Sequence, residues 1–514
     1  MAFLAYLSWS AALYGGRALP RLDRVLVGMG RGDARLFVWA LAWWPHALVA
    51  GADALHPHVI WAPAGQDLAW VTSVPGPALG MTPVTLALGP IVSSNLLHIL
   101  APALAGWAAY LACSRLTRSA RASGLGGFLF ASSSYLAGQL RGHLDLFLVF
   151  PVPLALYLSL LWAEGALPSG AFVGLLGLVL AIQASISTEV LATLTLFGGL
   201  AAVVCVIAGD PGWRGRILRL APLLACAYLL AAVLASPVLI PALAHVPPGP
   251  IRRPTKGSVD LLSFLLPRAP LLLGGRTFAG LTDRFPANPS EDGAYVPLPL
   301  LSLLGWRAWR NRRDPVTRVL LLVGVLAGLA ALGPRLHVEG RATLPLPWTF
   351  IAHVPLIQDA VPARATLYLW LASSMEIGRA LADPPPSPAV LALVAAGAVL
   401  LLPNVWARGF DRPAQVPAAI VGGQIRCVVR PGDTAVVIEG RKGDDMLWQA
   451  LSGFRFRLAG GRTGSVPPGF RGDPAWHAIR SRDPGTLRAS RLRAFLAAHG
   501  VEEVLVDPRV ARRW

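Results

Sequence analysis

Apolar runs of about twenty residues, separated by short arginine-bearing connections, recur along this chain and constrain its fold more than any other feature. A run of that length is what an α-helix needs to cross a bilayer, about 20 residues at 1.5 Å each. Candidate spans with loose edges lie at 2–18, 90–112, 123–140, 146–163, 170–187, 190–208, 219–242, 294–306, 317–333, 364–380 and 388–406. The first and eighth are short, and Pro297 and Pro299 interrupt the eighth. The chain therefore reads as an α-helical polytopic membrane protein with about eleven transmembrane helices. Composition agrees. Of 514 residues, 54% are hydrophobic and 14% charged, where a soluble domain carries about 25% charged residues. Mean hydropathy is +0.56. A cytosolic enzyme, a disordered tail and a collagenous chain are excluded.

Net charge is +18, from 45 Lys and Arg against 27 Asp and Glu, and Lys256 and Lys442 are the only lysines. A pI near 11.0 would suit a nucleic-acid binder, but the arginines stand between apolar runs, where topology accounts for them. Arg115, Arg118 and Arg121 follow the second span; Arg214, Arg216 and Arg219 precede or open the seventh. Arg307, Arg310, Arg312 and Arg313 follow the eighth, and Arg379 closes the tenth. With eleven spans and the N-terminus inside, every cluster is cytoplasmic, as the positive-inside bias requires. The apolar start is read as a retained first span. The C-terminus is then outside, and so are the long loops at 19–89, 243–293 and 334–363. Four cysteines form no metal or disulfide spacing. The chain has no P-loop, no GxGxxG after a strand and no GxSxG elbow.

Two parts are expected: a transmembrane domain over 1–406, and a soluble extracytoplasmic α/β domain over 407–514. The proline-rich run 381–388 is a hinge between spans. Beyond 407, Thr434–Glu439 reads as a strand, Met446–Leu451 as a short helix, Leu487–His499 as an amphipathic helix and Val501–Val506 as a strand.

Ionisable residues at the outer ends of spans are the candidates for chemistry. In the first outer loop, Asp33 follows a glycine-rich stretch and precedes an aromatic helix with Trp39, Trp43 and Trp44, residues that favour a membrane interface. Asp33 either faces a membrane-bound substrate or caps that helix. His143 and Asp145 lie beside the third span, where they orient an acceptor, bind a metal or close a turn. Glu189 sits at the turn between the fifth and sixth spans, and a charge there is costly unless used or paired. Arg252, Arg253, Lys256, Arg284 and Arg364 are outer-side cations suited to a phosphate or to anionic lipid. His56 and His58 are a weak metal signal by spacing alone. Trp61, Trp70, Trp306, Trp309 and Trp348 read as an aromatic belt.

Further fragments follow in order: Pro63-Ala-Gly65-Gln-Asp-Leu-Ala-Trp70 with Thr72, Ser133-Ser134-Tyr135, Gly142-His143-Leu144-Asp145, Ser187-Thr188-Glu189, Glu291-Asp-Gly-Ala-Tyr295 and Pro362-Ala-Arg364. Together with the first loop, this series resembles the GT-C class of integral membrane glycosyltransferases, in a bacterial branch. The pattern of that branch has Pro after the first-loop Asp and Asn within Gly-His-Leu-Asn; here Ala34 and Asp145 stand in those places.

The resemblance implies transfer of a sugar from a polyprenyl-phosphate donor to an envelope glycan, lipid or protein outside the bacterial cytoplasmic membrane. It makes Asp33 the candidate base, with Asp145 and Glu189 as rival carboxylates. His143, Arg252, Arg253, Lys256, Arg284, Glu291 and Arg364 become the candidate substrate-binding groups. Some members of the class use a divalent metal, Mg or Mn, and others do not. Membrane lipids are expected partners and nucleic acid is not. Two other readings stay open: a transporter or flippase of lipid-linked sugars, which would place charges deep in broken spans, and a non-catalytic membrane scaffold.

Overall fold

Five helices among the described residues are long and apolar enough to cross a membrane: Pro90–Thr117, Leu144–Ala163, Ser169–Ile186, Thr188–Ala208 and Trp213–Leu234. The computed structural model describes residues 1–29, 33–246, 257–351, 359–383, 386–407, 410, 412–464, 466–485 and 487–514. The other expected spans form shorter or broken helices, so length alone supports five spans and not eleven. The expected span 123–140 divides into Ala120–Ala131 and Ser134–Gln139, because the Ser133 side chain turns back to accept the Leu136 N–H and starts a second helix. Pro297 acts as the N-cap of Leu298–Arg310, while Pro315–Ala331 and Pro388–Leu400 are apolar but short.

The chain separates into two compact units. The first comprises Met1–Gly16, His98–Pro237 and Pro247–Phe410. Its helix Ser169–Ile186 packs on Trp213–Leu234 and on Pro151–Ala163, with Leu158, Phe172, Leu176, Leu180 and Ala227 in the shared core. A Cβ at Gly177 would stand 2.7 Å from Leu230, so this glycine lets the two helices approach closely, as small residues do between spans. Away from that core, Thr188–Ala208 and Trp213–Leu234 are largely bare. Only 11% of the apolar window of Trp213–Leu234 is buried, and Ile207, Leu229 and Val233 stand exposed. Contiguous apolar surface of that kind belongs in lipid. This is a membrane protein.

A second set of helices in this unit, Ala120–Ala131, Pro315–Ala331 and Thr366–Ala382, packs side by side. Thr366–Ala382 carries buried charge near both ends. Arg364 precedes it, and Glu376 near its C-terminal end pairs with buried Arg307 at 2.8 Å. Arg307 was expected as a cytoplasmic surface charge; it is buried because Glu376 and Asp383 both accept from it. Arg310, Arg312 and Arg313 are exposed, as charges beside a span should be.

The second unit comprises Arg17–Leu97, Val238–Val246 and Asp411–Trp514. The strand, helix, helix and strand expected beyond 407 are present as Thr434–Ile438, Asp444–Leu451, Ala489–Ala498 and Glu503–Val506. A short strand Arg457–Leu458 and a helix Pro474–Ser481 were not foreseen. The strands form a parallel sheet with Thr434–Ile438 central. The first loop is part of this unit. Its helix Asp33–Ala50 lies on Asp444–Leu451, fixed by a buried Arg35–Asp444 pair at 3.0 Å and by Trp39 Nε1 donating to Gln449. Residues 59–62 run along Leu458 at the sheet edge, through Leu458 N–H to Val59 and Ala62 N–H to Leu458. Trp39, Trp43, Trp44 and Trp61 are consequently buried. The interfacial expectation for them is corrected, because their apolar rings find a protein core. Trp306 and Trp309 do remain exposed.

Candidate functional site

The first unit gathers charges from four separate stretches of chain around Arg364. This arginine is 6% exposed and sits in the short turn Pro362–Ala365 ahead of Thr366–Ala382. Its Nε and Nη2 donate to the two oxygens of Glu291 at 3.0 and 2.7 Å, and its Nη1 donates to Glu189. A planar guanidinium meets a carboxylate edge-on with two parallel bonds, and a third donor remains for the second carboxylate. Glu189 is in the first turn of Thr188–Ala208 and also accepts the Val361 N–H at 3.0 Å. An acid at a helix start suits the helix dipole.

The loop that carries Glu291 is itself anchored. Asp292 pairs with buried Arg268 at 2.8 Å and accepts from Ser263, while Arg268 also donates to the carbonyls of Ala287 and Thr282. Gly293 lies against Tyr135, where a Cβ would stand 2.5 Å from the Tyr135 Cα. Ser134 donates to the Gly293 and Tyr295 carbonyls, and Trp370 Nε1 donates to Ser134. The fragments Ser133-Ser134-Tyr135 and Glu291–Tyr295 are thus two sides of one contact. Sequence reading missed Arg268, which stands in no motif, and passed over Asp292, which lies inside the fragment Glu291–Tyr295 without being singled out. Burial pushes the Asp292 carboxyl upward, against the pull of Arg268.

His143 and Asp145 complete the group. His143 Nδ1 donates to Gln139 at 2.8 Å and lies 4.0 Å from Glu291. Asp145 is 7% exposed, and its nearest charges are Arg364, His143, Glu189 and Glu291. Among the described residues its carboxylate accepts no hydrogen bond. Glu189 and Glu291 are committed to Arg364; Asp145 is not.

The remaining expected site residues are elsewhere. Asp33 is exposed in the first turn of Asp33–Ala50, in the second unit. Arg284 is exposed, with its carbonyl against Gly340. Arg252, Arg253 and Lys256 lie outside the described residues. Arg364, expected to reach a phosphate, donates here to Glu291 and Glu189.

A magnesium or manganese ion needs a cage of about six oxygen ligands. The Arg364 cluster does not fit one, since the guanidinium already fills the space between Glu189 and Glu291. A group that can hold a metal occurs in the second unit, where ligand atoms of His56, Asp67 and His245 lie within 4.8 Å of one another.

No family model matches the chain, and no curated protein matches it in sequence. Solved structures of similar shape include the archaeal oligosaccharyltransferase AglB of Archaeoglobus fulgidus in complex with an inhibitory peptide and a dolichol-phosphate. That comparison has a TM-score of 0.43 and 13% identity over 98% of this chain and 69% of the other. The apo form of the Archaeoglobus fulgidus oligosaccharyltransferase gives 0.42 and 12%, over 97% and 69%. Its complex with Zn and sulfate gives 0.35 and 12%, over 99% and 68%.

Proposed function

We propose that this protein is a membrane glycosyltransferase of the GT-C type. It transfers a sugar from a polyprenyl-phosphate donor to an envelope glycan, lipid or protein on the outer side of a bacterial cytoplasmic membrane, with its N-terminus inside. The observation that carries the reading is Asp145: a buried carboxylate in the short turn Leu144–Phe147 just ahead of helix Pro151–Ala163, beside three committed charges, which accepts no hydrogen bond among the described residues. An ionisable group held at a span end in that state is expensive unless it is used.

Sugar transfer to a hydroxyl needs a base to take the proton as the new bond forms. The sequence resemblance names Asp33 for that role, and the geometry of the cluster favours Asp145. Arg364, Glu189 and Glu291 then act as a rigid frame that keeps Asp145 and His143 in place. The departing lipid phosphate needs positive charge, and Arg252, Arg253 and Lys256 are the groups proposed to supply it.

The test is release of free polyprenyl phosphate from a panel of polyprenyl-phosphate sugars by the purified protein in nanodiscs, with membrane extract as acceptor. Asp145→Asn is expected to lower release by about 100-fold or more, the usual worth of a positioned base. Loss in Asp33→Asn with Asp145→Asn fully active would return the role to Asp33. No release from any donor by folded wild-type protein would sink the glycosyltransferase reading and leave the transporter and scaffold readings.

A further inference from the structure

We propose that His56, Asp67 and His245 form a binding site for a divalent transition metal of the zinc class. The three belong to one compact unit, no member of the Arg364 cluster takes part, and the proposal does not depend on the glycosyltransferase reading.

The spacing is close to what a metal needs. Asp67 Oδ2 lies 2.6 Å from His245 Nδ1 and 3.6 Å from His56 Nε2. In a tetrahedral zinc site with bonds of about 2.0–2.1 Å, neighbouring ligand atoms stand about 3.3 Å apart. The two observed distances bracket that value. The imidazole rings meet edge to face, with centroids 5.7 Å apart, so neither ring blocks the other's nitrogen.

The outer contacts of the cluster give the second argument. Asp53 Oδ2 lies 3.0 Å from His56 Nδ1, and Asp53 Oδ1 is fixed by the backbone N–H groups of Leu55 and His56. An ionised carboxylate only accepts, so Nδ1 of His56 carries the hydrogen. Nε2 of the same ring is the nitrogen on the Asp67 side, 3.6 Å from Oδ2. Asp67 Oδ1 accepts the Ala69 N–H at 2.7 Å, which turns Oδ2 toward both histidines. A carboxylate behind a metal-bound histidine is the usual outer arrangement, and it fixes the ring and its tautomer. Asp53, His56 and Asp67 reproduce it.

The donor set decides the kind of metal. Two nitrogens and one oxygen suit zinc and its neighbours, whereas magnesium and calcium prefer oxygen alone. Side-chain exposures of 38% for His56, 28% for Asp67 and 54% for His245 leave room for water as a fourth ligand. A metal here would tie the first loop to a residue 189 positions later, immediately after helix Ser236–Ala244.

The test is calorimetric titration of Zn²⁺ into the full-length, tag-free protein in detergent after treatment with a chelator. Wild type is expected to bind one ion per chain, and His245→Ala and His56→Ala to lose it. Asp53→Asn, which removes no ligand, is expected to weaken binding about 10–100-fold. Asp145→Asn is expected to bind as wild type does. Substitution with Co²⁺ should give visible absorption bands in wild type and not in His245→Ala, while unchanged near-ultraviolet dichroism shows that the variant is folded. Zinc binding retained in both histidine variants would overturn the proposal. So would no zinc binding by wild type, which would make the cluster a histidine–aspartate ion pair only, or loss of zinc in Asp145→Asn alone.

Discussion

Arg364 is a residue that lysine can replace only in part. Its bonds run to two carboxylates from both edges of one rigid plane, while a lysine ammonium is a single point of charge on a flexible stem. A buried ion group of this kind adds little net stability when intact, because desolvation offsets attraction, but removing one partner strands the others. Arg364→Met leaves Glu189 and Glu291 facing each other in a buried site and is expected to cost about 3–5 kcal/mol. Arg364→Lys should fall between that variant and wild type. Thermal melting in detergent measures both, and Arg364→Met combined with Glu291→Gln should recover part of the loss. A melting point for Arg364→Met equal to that of wild type would show that the cluster is not a structural frame. In the sequence, Glu189, Glu291 and Arg364 are legible singly, as charges beside apolar runs. Their pairing is not, since the partners lie 73 and 175 positions apart and no local pattern joins them.

At the scale of elements, small residues set how closely the helices of the first unit approach. A Cβ at Gly127 would meet the Gly106 carbonyl oxygen and the Tyr6 hydroxyl at 2.5 Å, and one at Gly126 would meet Cys113 Sγ at 2.9 Å. Gly124, in the same helix, has open space around its Cβ direction. Gly127→Ala must therefore push one helix backbone from another and is expected to destabilise the protein by about 1–3 kcal/mol. Gly124→Ala should be neutral or slightly stabilising, since alanine is the better helix former. Melting of the two variants side by side isolates the contact from the propensity, and equal effects would refute close packing at Gly127. Apolar length is a one-dimensional signal, which is why the five long helices are legible in sequence. The broken span at 123–140 is not, because Ser132 closes one helix and Ser133 starts the next while hydropathy continues through both. The short strand Arg457–Leu458 has too few residues to show an alternation, and its partner along residues 59–62 is nearly 400 positions away.

For the whole molecule, the assembly of the second unit from three stretches of chain gives it a pH dependence that the first loop should report. Glu439 ends the central strand and pairs with Arg462 beside Asp445. Burial, together with the neighbouring Asp445 charge, pushes the Glu439 carboxyl from 4.5 up to about 7. The native state therefore holds a proton that the unfolded chain has already released. That contribution to stability is fully present below about pH 4.5, declines as pH rises toward 7, and is gone above it. Helix Asp33–Ala50 packs on the helix that follows Glu439, and Trp61 stacks edge-on against Phe470 and Trp476. Loosening of the sheet should therefore expose Trp39 and Trp61, residues that the linear sequence assigns to a membrane-facing loop. Proteolytic nicking within residues 33–62 of the full-length protein, measured in detergent at a temperature near the melting midpoint, is expected to accelerate between pH 5 and 7.5. Glu439→Gln, which keeps a neutral side chain at every pH, should flatten that rise whatever its effect on overall stability. A slope unchanged by Glu439→Gln would assign the pH response to other groups. A rise in nicking confined to residues 412–514 would show that the first loop folds independently of the sheet.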